Sequence, residues 1–162
     1  MAELEKIGFL GTGVMGASMA GHLLQAGHAL SVYTRTPEKA RPLLEQGAQW
    51  ADSPAQLARS SEAVITMVGY PRDVEEVYCG EDGLLTACPE GVLFIDATTS
   101  KPALAERIAA EAEKRRCAAL DAPVKSFDIG GRTFDFHRHR YLTGVINLSP
   151  DSWYRESVCP DA

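Results

Sequence analysis

No apolar run in the 162-residue sequence approaches the ~20 residues needed to cross a bilayer, so no membrane partner is expected. An excess of basic charge is also missing. The 16 Lys and Arg stand against 22 Asp and Glu, for a formal net charge of −6. A nucleic-acid partner would favour a basic face, so none is expected. Cysteine is sparse. Cys79, Cys88, Cys117 and Cys159 show no C-x-x-C spacing and read as buried or free thiols of a reducing compartment. The opening Met1-Ala2-Glu3-Leu4-Glu5-Lys6 has neither the basic start nor the apolar core of a signal peptide, which makes the cytoplasm the expected location. No repeat of solenoid length and no low-complexity tract is found. No metal site is expected either. His137 and His139 would point to one side of a strand, but no third ligand stands nearby, and with Arg138 and Arg140 they read as a solvated basic stretch.

What is present is ordinary globular material, 45% hydrophobic and 23% charged, enough for one domain and a fragment of another. The charge is uneven. Residues 1–124 hold 11 Lys and Arg and 17 Asp and Glu, whereas residues 125–162 hold 5 and 5. Strand-like runs alternate with helix-like ones through the first stretch, which predicts an α/β fold: a doubly wound parallel sheet with helices on both faces.

The organising stretch is Lys6-Ile7-Gly8-Phe9-Leu10-Gly11-Thr12-Gly13-Val14-Met15-Gly16. A short apolar strand ends at Gly11-x-Gly13-x-x-Gly16 and a helical pattern follows directly, ending near Gly27. That order suits a dinucleotide diphosphate. Gly11 makes the turn off the strand, Gly13 lets the backbone approach the pyrophosphate, and Gly16 lets the helix lie close to the sheet. The phosphates would sit on the free amides and positive dipole end of the helix.

Further along, strands are predicted at Ala29–Tyr33, 48–50, 63–68, 92–96 and 118–122. A helix is expected from Pro37 to about Gln46, and Ser53-Pro54-Ala55-Gln56 reads as a capping-box start. Another helix runs from Asp73 to about Tyr78. Thr98-Thr99-Ser100 reads as the cap of a helix from Pro102 to about Arg116, with Ala103, Leu104, Ile108 and Ala112 on one face.

Cofactor choice is set at the end of the second strand. An NAD enzyme places Asp or Glu there for the adenosine ribose hydroxyls; here the segment is Tyr33-Thr34-Arg35-Thr36, with no carboxylate. Arg35 suits a 2′-phosphate instead, so NADP is favoured and NAD remains possible. Thr34 and Thr36 are placed to bond the same phosphate or to cap the next helix. Two more loops follow strand ends, at Met67-Val68-Gly69-Tyr70-Pro71 and Asp96-Ala97-Thr98-Thr99. Gly69 and Thr99 there are candidates to approach the ribose or nicotinamide, or are simply turn and cap.

Residues 6–124 resemble the N-terminal domain of the β-hydroxyacid dehydrogenases, the family of 3-hydroxyisobutyrate dehydrogenase and a relation of 6-phosphogluconate dehydrogenase. The resemblance is carried by the glycine stretch, Ala26-Gly27-His28, Val32-Tyr33-Thr34-Arg35-Thr36, Ile65-Thr66-Met67, Gly83-Leu84-Leu85, Ile95-Asp96-Ala97-Thr98-Thr99 and Leu120-Asp121-Ala122-Pro123-Val124. It implies hydride transfer between a nicotinamide cofactor and a small 3-hydroxy acid. By the same resemblance Gly11, Gly13, Gly16, Arg35, Val68, Gly69 and Thr99 would touch the cofactor, and Thr12, Val14, Met15, Thr34 and Thr36 beside them complete the candidate cofactor-binding set. The family continues Asp-Ala-Pro-Val with Ser-Gly-Gly, which holds the substrate carboxylate; this chain has Lys125-Ser126-Phe127. The family's helical domain, with its catalytic lysine and asparagine, has no counterpart in the sequence, so catalytic residues are unassigned and turnover is expected only if that half is supplied by another chain. A homo-oligomer is possible.

The remainder, 125–162, reads as a hairpin plus a strand. Residues 127–153 are similar to the start of dihydropteroate synthase, with Asn147 at the position of that family's pterin pyrophosphate and metal site. Only the first strand of such a barrel would fit, since a barrel needs ~250 residues. The chain is therefore expected to be a junction of two gene fragments or a truncated fusion. A non-catalytic cofactor-binding module and a pterin-binding remnant are the competing readings.

Overall fold

The computed structural model describes residues 4–123, together with the backbone of Phe127–Ile129 and Arg132–Phe134. The chain divides into two compact units, 1–124 and 125–162.

The first unit alternates strand and helix: β1 (Lys6–Leu10), α1 (Val14–Gln25), β2 (Ala29–Tyr33), α2 (Arg41–Glu45), β3 (Gln49–Trp50), α3 (Pro54–Arg59), β4 (Ala63–Thr66), α4 (Pro71–Cys79), β5 (Leu93–Asp96), α5 (Pro102–Glu113) and β6 (Ala118–Asp121). The six strands form one sheet in the order β3-β2-β1-β4-β5-β6, and every pair is parallel. This is a doubly wound, Rossmann-like sheet, as the alternating pattern predicts. Strand periodicity divides the core in two. Ile7 and Phe9 of β1 pack with Leu30, Val32 and Ala20 on the face covered by α1. Leu10 points the other way and packs with Leu57, Val64, Tyr78, Phe94 and Ile108. Tyr78 and Phe94 meet edge to face, with ring centroids 5.8 Å apart, and the buried Thr66 hydroxyl donates to the Tyr78 hydroxyl at 3.1 Å.

Several local expectations need correction. The helix expected over 37–46 is broken into a 3-10 turn, Pro37–Lys39, and the short α2. Pro42 explains the break: it lacks an amide hydrogen, and its ring would clash with the carbonyl four residues earlier in a continuous helix. Ser53 does cap α3, accepting from the Gln56 amide at 3.2 Å, but Gln56 Oε1 reaches back to the amide of Asp52 rather than that of Ser53. α5 is not capped by a hydroxyl. Its N-cap is Lys101, which makes no side-chain cap, and Pro102 takes the first helical position. The helix stops at Glu113, and Arg116, at φ +57°, turns the chain toward β6. Ile108 and Ala112 are buried on its inner face and Leu104 is half-buried, while Ala103 lies exposed.

In the second unit β7 (Phe127–Ile129) and β8 (Arg132–Phe134) pair antiparallel, with Phe127 opposite Phe134 and Ile129 opposite Arg132. Two glycines in sequence between paired strands are a hairpin signal. The strand expected at 141–148, with Asn147, and the residues His137, His139 and Cys159 lie outside the described residues.

Candidate functional site

β2 and β4 flank β1, so the loops leaving all three strands meet at one end of the sheet. The three glycines do different work there. Gly11 leaves β1 at φ +97°, a conformation open mainly to glycine, and its amide donates to the Tyr33 carbonyl at 2.9 Å. A Cβ on Gly11 would lie 2.1 Å from the Met67 carbonyl oxygen. A Cβ on Gly16 would lie 1.9 Å from the Gly11 carbonyl oxygen and 3.2 Å from the Phe9 ring, so Gly16 brings α1 down onto the strand turn. Gly13 is unlike both: a Cβ there meets nothing within 4 Å. The space beside it is a cleft of about 400 Å³, which Gly13 lines.

Gly13 is also the N-cap of α1. No side chain caps this helix, and its first turn holds no acidic residue. The first amides of an α-helix have no partner within it. The start of α1 thus presents donors and a positive dipole end to the cleft, the arrangement that receives an anion. Val14, 94% exposed, and Met15, 50% exposed, stand at the same opening.

The cleft gathers most of the residues singled out in the sequence. Gly11, Gly13, Val14, Met15 and Gly16 form its floor, Thr34, Arg35 and Thr36 come from the loop after β2, and Val68 and Gly69 from the loop after β4. Thr36 occupies the N-cap position of the 3-10 turn, but its hydroxyl makes no cap bond. Two residues stand apart. Thr12 is buried at 3% exposure behind the glycine turn, with its hydroxyl unpartnered, and is not among the lining residues. Thr99 is exposed on the loop after β5, also away from the lining. Its neighbour Thr98 is the structural hydroxyl of that loop. It accepts from the Val68 amide at 3.0 Å, and its own amide donates to Asp96 Oδ1 at 3.0 Å. Burial raises the Asp96 carboxyl above its ordinary value, an effect opposed by hydrogen bonds from the Thr98 backbone and side chain to that carboxylate.

Arg35 is not a free guanidinium. Its Nη1 lies 3.0 Å from Asp73 Oδ1, at the head of α4. The Arg35 side chain is 62% exposed and that of Asp73 only 4%. Sequence reasoning missed Asp73 because the two residues are 38 positions apart and an acidic residue in a first helical turn has an ordinary explanation. It also missed Lys39, which lines the cleft because the 3-10 turn starting at Pro37 turns the chain back toward Arg35. The four-residue spacing of Arg35 and Lys39 after β2 was the available signal.

Other groups that carry chemistry lie elsewhere. Cys79, Cys88 and Cys117 are free thiols, and Cys117 Sγ lies 3.7 Å from Cys88 Sγ. Burial, more than the neighbouring Cys117, pushes the Cys88 thiol up to about 11. Among the described residues no group of His, Cys, Asp and Glu could hold a metal ion, and no helix is long and apolar enough to cross a membrane.

Comparison with known proteins agrees with this geometry. The family model for the NAD binding domain of 6-phosphogluconate dehydrogenase matches residues 6–132, running past the unit boundary at 124. The uncharacterized oxidoreductase YkwC of Bacillus subtilis is 53% identical over 126 residues, 78% of this chain and 44% of that protein. The 3-hydroxyisobutyrate dehydrogenase of Mycobacterium tuberculosis, solved with L-serine, superposes with a TM-score of 0.69 at 32% identity, covering 76% of this chain and 41% of that one. Psf3 in complex with NADP+ and 2-OPP superposes with a TM-score of 0.70 at 29% identity, covering 74% and 42%. The chain thus spans less than half the length of these relatives. With the sheet order, the glycine turn and the family match in agreement, the chain belongs to the NAD(P)-binding Rossmann domains of the 6-phosphogluconate dehydrogenase family, alongside the 3-hydroxyisobutyrate dehydrogenase-like oxidoreductases.

Proposed function

We propose that residues 1–124 bind NADP(H), with NAD(H) as a weaker ligand, as the cofactor half of an oxidoreductase acting on a small 3-hydroxy acid. The observation that carries this reading is the open space at Gly13, in front of an uncapped helix start. The diphosphate fits there: the donors are backbone amides, and no Cβ stands in the way. Arg35 and Lys39, which both line the cleft after β2, would hold the adenosine 2′-phosphate, and Thr34 and Thr36 would flank it. Val68 and Gly69 would lie along the ribose and nicotinamide, with Thr99 approaching from the loop after β5. The NADP+ bound by Psf3 and the dehydrogenase activity named for the Mycobacterium tuberculosis relative support the cofactor and the substrate class.

The bound dinucleotide would supply the hydride. This chain's residues would bind and orient it. Hydride transfer to a carbonyl also needs a general acid; among the described residues the cleft is lined by Tyr33, Lys39 and Tyr70 but by no histidine or cysteine. In this reading the proton donor and the substrate carboxylate site lie outside the cleft, and the described residues serve to bind the dinucleotide. The pterin reading of the tail gains no support from the first unit, whose cleft is accounted for by a dinucleotide.

The test is a fluorescence titration of the full chain with NADPH and NADH. NADPH should bind more tightly. Arg35→Ala should weaken NADPH by about tenfold or more, the size expected for losing a charge-assisted phosphate contact, and leave NADH within about twofold. Equal loss for both nucleotides would remove Arg35 from the phosphate site.

A further inference from the structure

The lining of the cleft carries two cations, Arg35 and Lys39, and two carboxylates, Asp73 and Glu76. That balance is unexpected in a pocket for a phosphate dianion. Glu76 is exposed, where water and salt screen its charge. Asp73 is 3% exposed. Its Oδ1 faces Arg35 Nη1 at 3.0 Å and Arg72 Nε at 3.9 Å. Its Oδ2 is buried with no hydrogen-bond partner. An acidic residue in the first turn of α4 would complement the helix dipole equally well if it faced water. Burying it against Arg35 needs another reason, because a buried charge is costly unless paired.

The topology explains how they meet. β2 and β4 are the two neighbours of β1, so the loop after β2 and the head of α4 converge over the end of β1. The sequence lacks a carboxylate at the end of β2; the fold brings one to the same place from α4.

We propose that Asp73 sets the balance between the two nicotinamide dinucleotides. It holds Arg35 at the cleft while offsetting much of the charge that an adenosine 2′-phosphate meets there. The inference rests on the dinucleotide reading of the cleft. A 2′-phosphate that reaches Arg35 comes within a guanidinium's width of Asp73. Both anions then lean on Arg35, with Arg72 3.9 Å away on the Asp73 side and Lys39 in the lining, and they repel one another across a part-buried ion pair. NADH has a neutral hydroxyl at that position and meets no such repulsion. Asp73 therefore weakens NADPH selectively and keeps NADH competitive. Asp73 is a positioning residue for Arg35, and its signature is a changed ratio of the two affinities.

The experiment uses Asp73→Asn, which keeps an acceptor facing Arg35 and removes the charge. NADPH and NADH are titrated against the full chain as wild type, Asp73→Asn, Arg35→Ala and the double variant, with melting temperature followed for each. Asp73→Asn should tighten NADPH about tenfold and change NADH less than about twofold. In the Arg35→Ala background the size of that gain should change, because the phosphate is no longer drawn to a cation that also offsets Asp73. Glu75→Gln removes a charge from the same helix at a residue paired with Arg107, and should change neither nucleotide by more than about twofold. Asp73→Ser serves if Asp73→Asn melts early, and should shift the ratio the same way. A weaker NADPH complex, an unchanged ratio, or an equal gain in the Arg35→Ala background would each overturn the proposal. If wild type binds neither nucleotide, the dinucleotide reading itself fails and this inference falls with it; if wild type binds and the ratio does not move, only the role of Asp73 fails.

Discussion

In β1 every residue from Ile7 to Leu10 is buried, whereas in β6 only Ala119 is even half-buried and Leu120 keeps 53% of its surface exposed. β1 is covered on both faces and ends in the glycine turn; β6 stands at one end of the sheet order. Beside β6 lies a second hollow lined by Ala119, Leu120, Asp96 and Ala109 of α5, and no glycine is among its lining residues. The contrast separates two kinds of requirement. A phosphate site needs backbone at close quarters, so it is written into local spacing. A sheet end needs only whatever comes to cover it, and local spacing says little about that.

The contrast can be pressed hardest on the core. Phe94 on β5 is fully buried against Tyr78. Phe94→Ala should cost about 4 kcal/mol in urea denaturation, the usual size for emptying a buried aromatic site. Leu120→Ser, one strand further out, should cost less than about 1 kcal/mol, because so much of the side chain is already in water. Comparable costs would mean that β6 is covered as well as β5 is, and the contrast would be lost.

Gly16→Ala probes the cleft side. The added methyl would meet the Gly11 carbonyl oxygen, which belongs to the backbone and cannot rotate away. Overpacking at such a point should cost about 3 kcal/mol and should also displace the start of α1, so nucleotide binding falls with stability. A fully stable Gly16→Ala protein that still binds would show that α1 need not approach the strand turn so closely.

The smallest effect is at Asp96, which lies at the end of β5 between the two regions. Its carboxyl is raised, so the folded chain holds that proton more tightly than the unfolded chain does. The stability this proton contributes is full below the ordinary value of 3.8 and is lost as pH rises through the raised value. Asp96→Asn keeps the acceptor for the Thr98 amide and should flatten that decline in denaturation curves taken from pH 3.5 to 7. An unchanged slope would place the pH dependence on other carboxylates.

The sequence makes the cleft side legible for a physical reason. The Gly11-x-Gly13-x-x-Gly16 spacing predicts a turn, an approach and a close packing within six residues, and the structure shows a steric reason at Gly11 and at Gly16 and open space at Gly13. β2 is likewise bounded at Ala29 and Tyr33 as its apolar pattern predicts. What escaped depends on distance or on competition. Asp73 reaches Arg35 only because of the strand order. Of the adjacent hydroxyls Thr98 and Thr99, only the tertiary fold decides which one turns inward to tie two loops together. Pro42 is visible in the sequence, and it splits the helix over 37–46 despite the helix formers around it.

The central claim is that the space in front of Gly13 is kept empty for a diphosphate. Gly13→Thr tests it, because threonine and glycine are similar N-caps and the new side chain meets no protein atom within 4 Å at its Cβ. The expected result is a melting temperature within about 3 °C of wild type, together with NADPH affinity reduced by at least about fiftyfold in the same preparation. A folded Gly13→Thr protein that binds NADPH as tightly as wild type would contradict it.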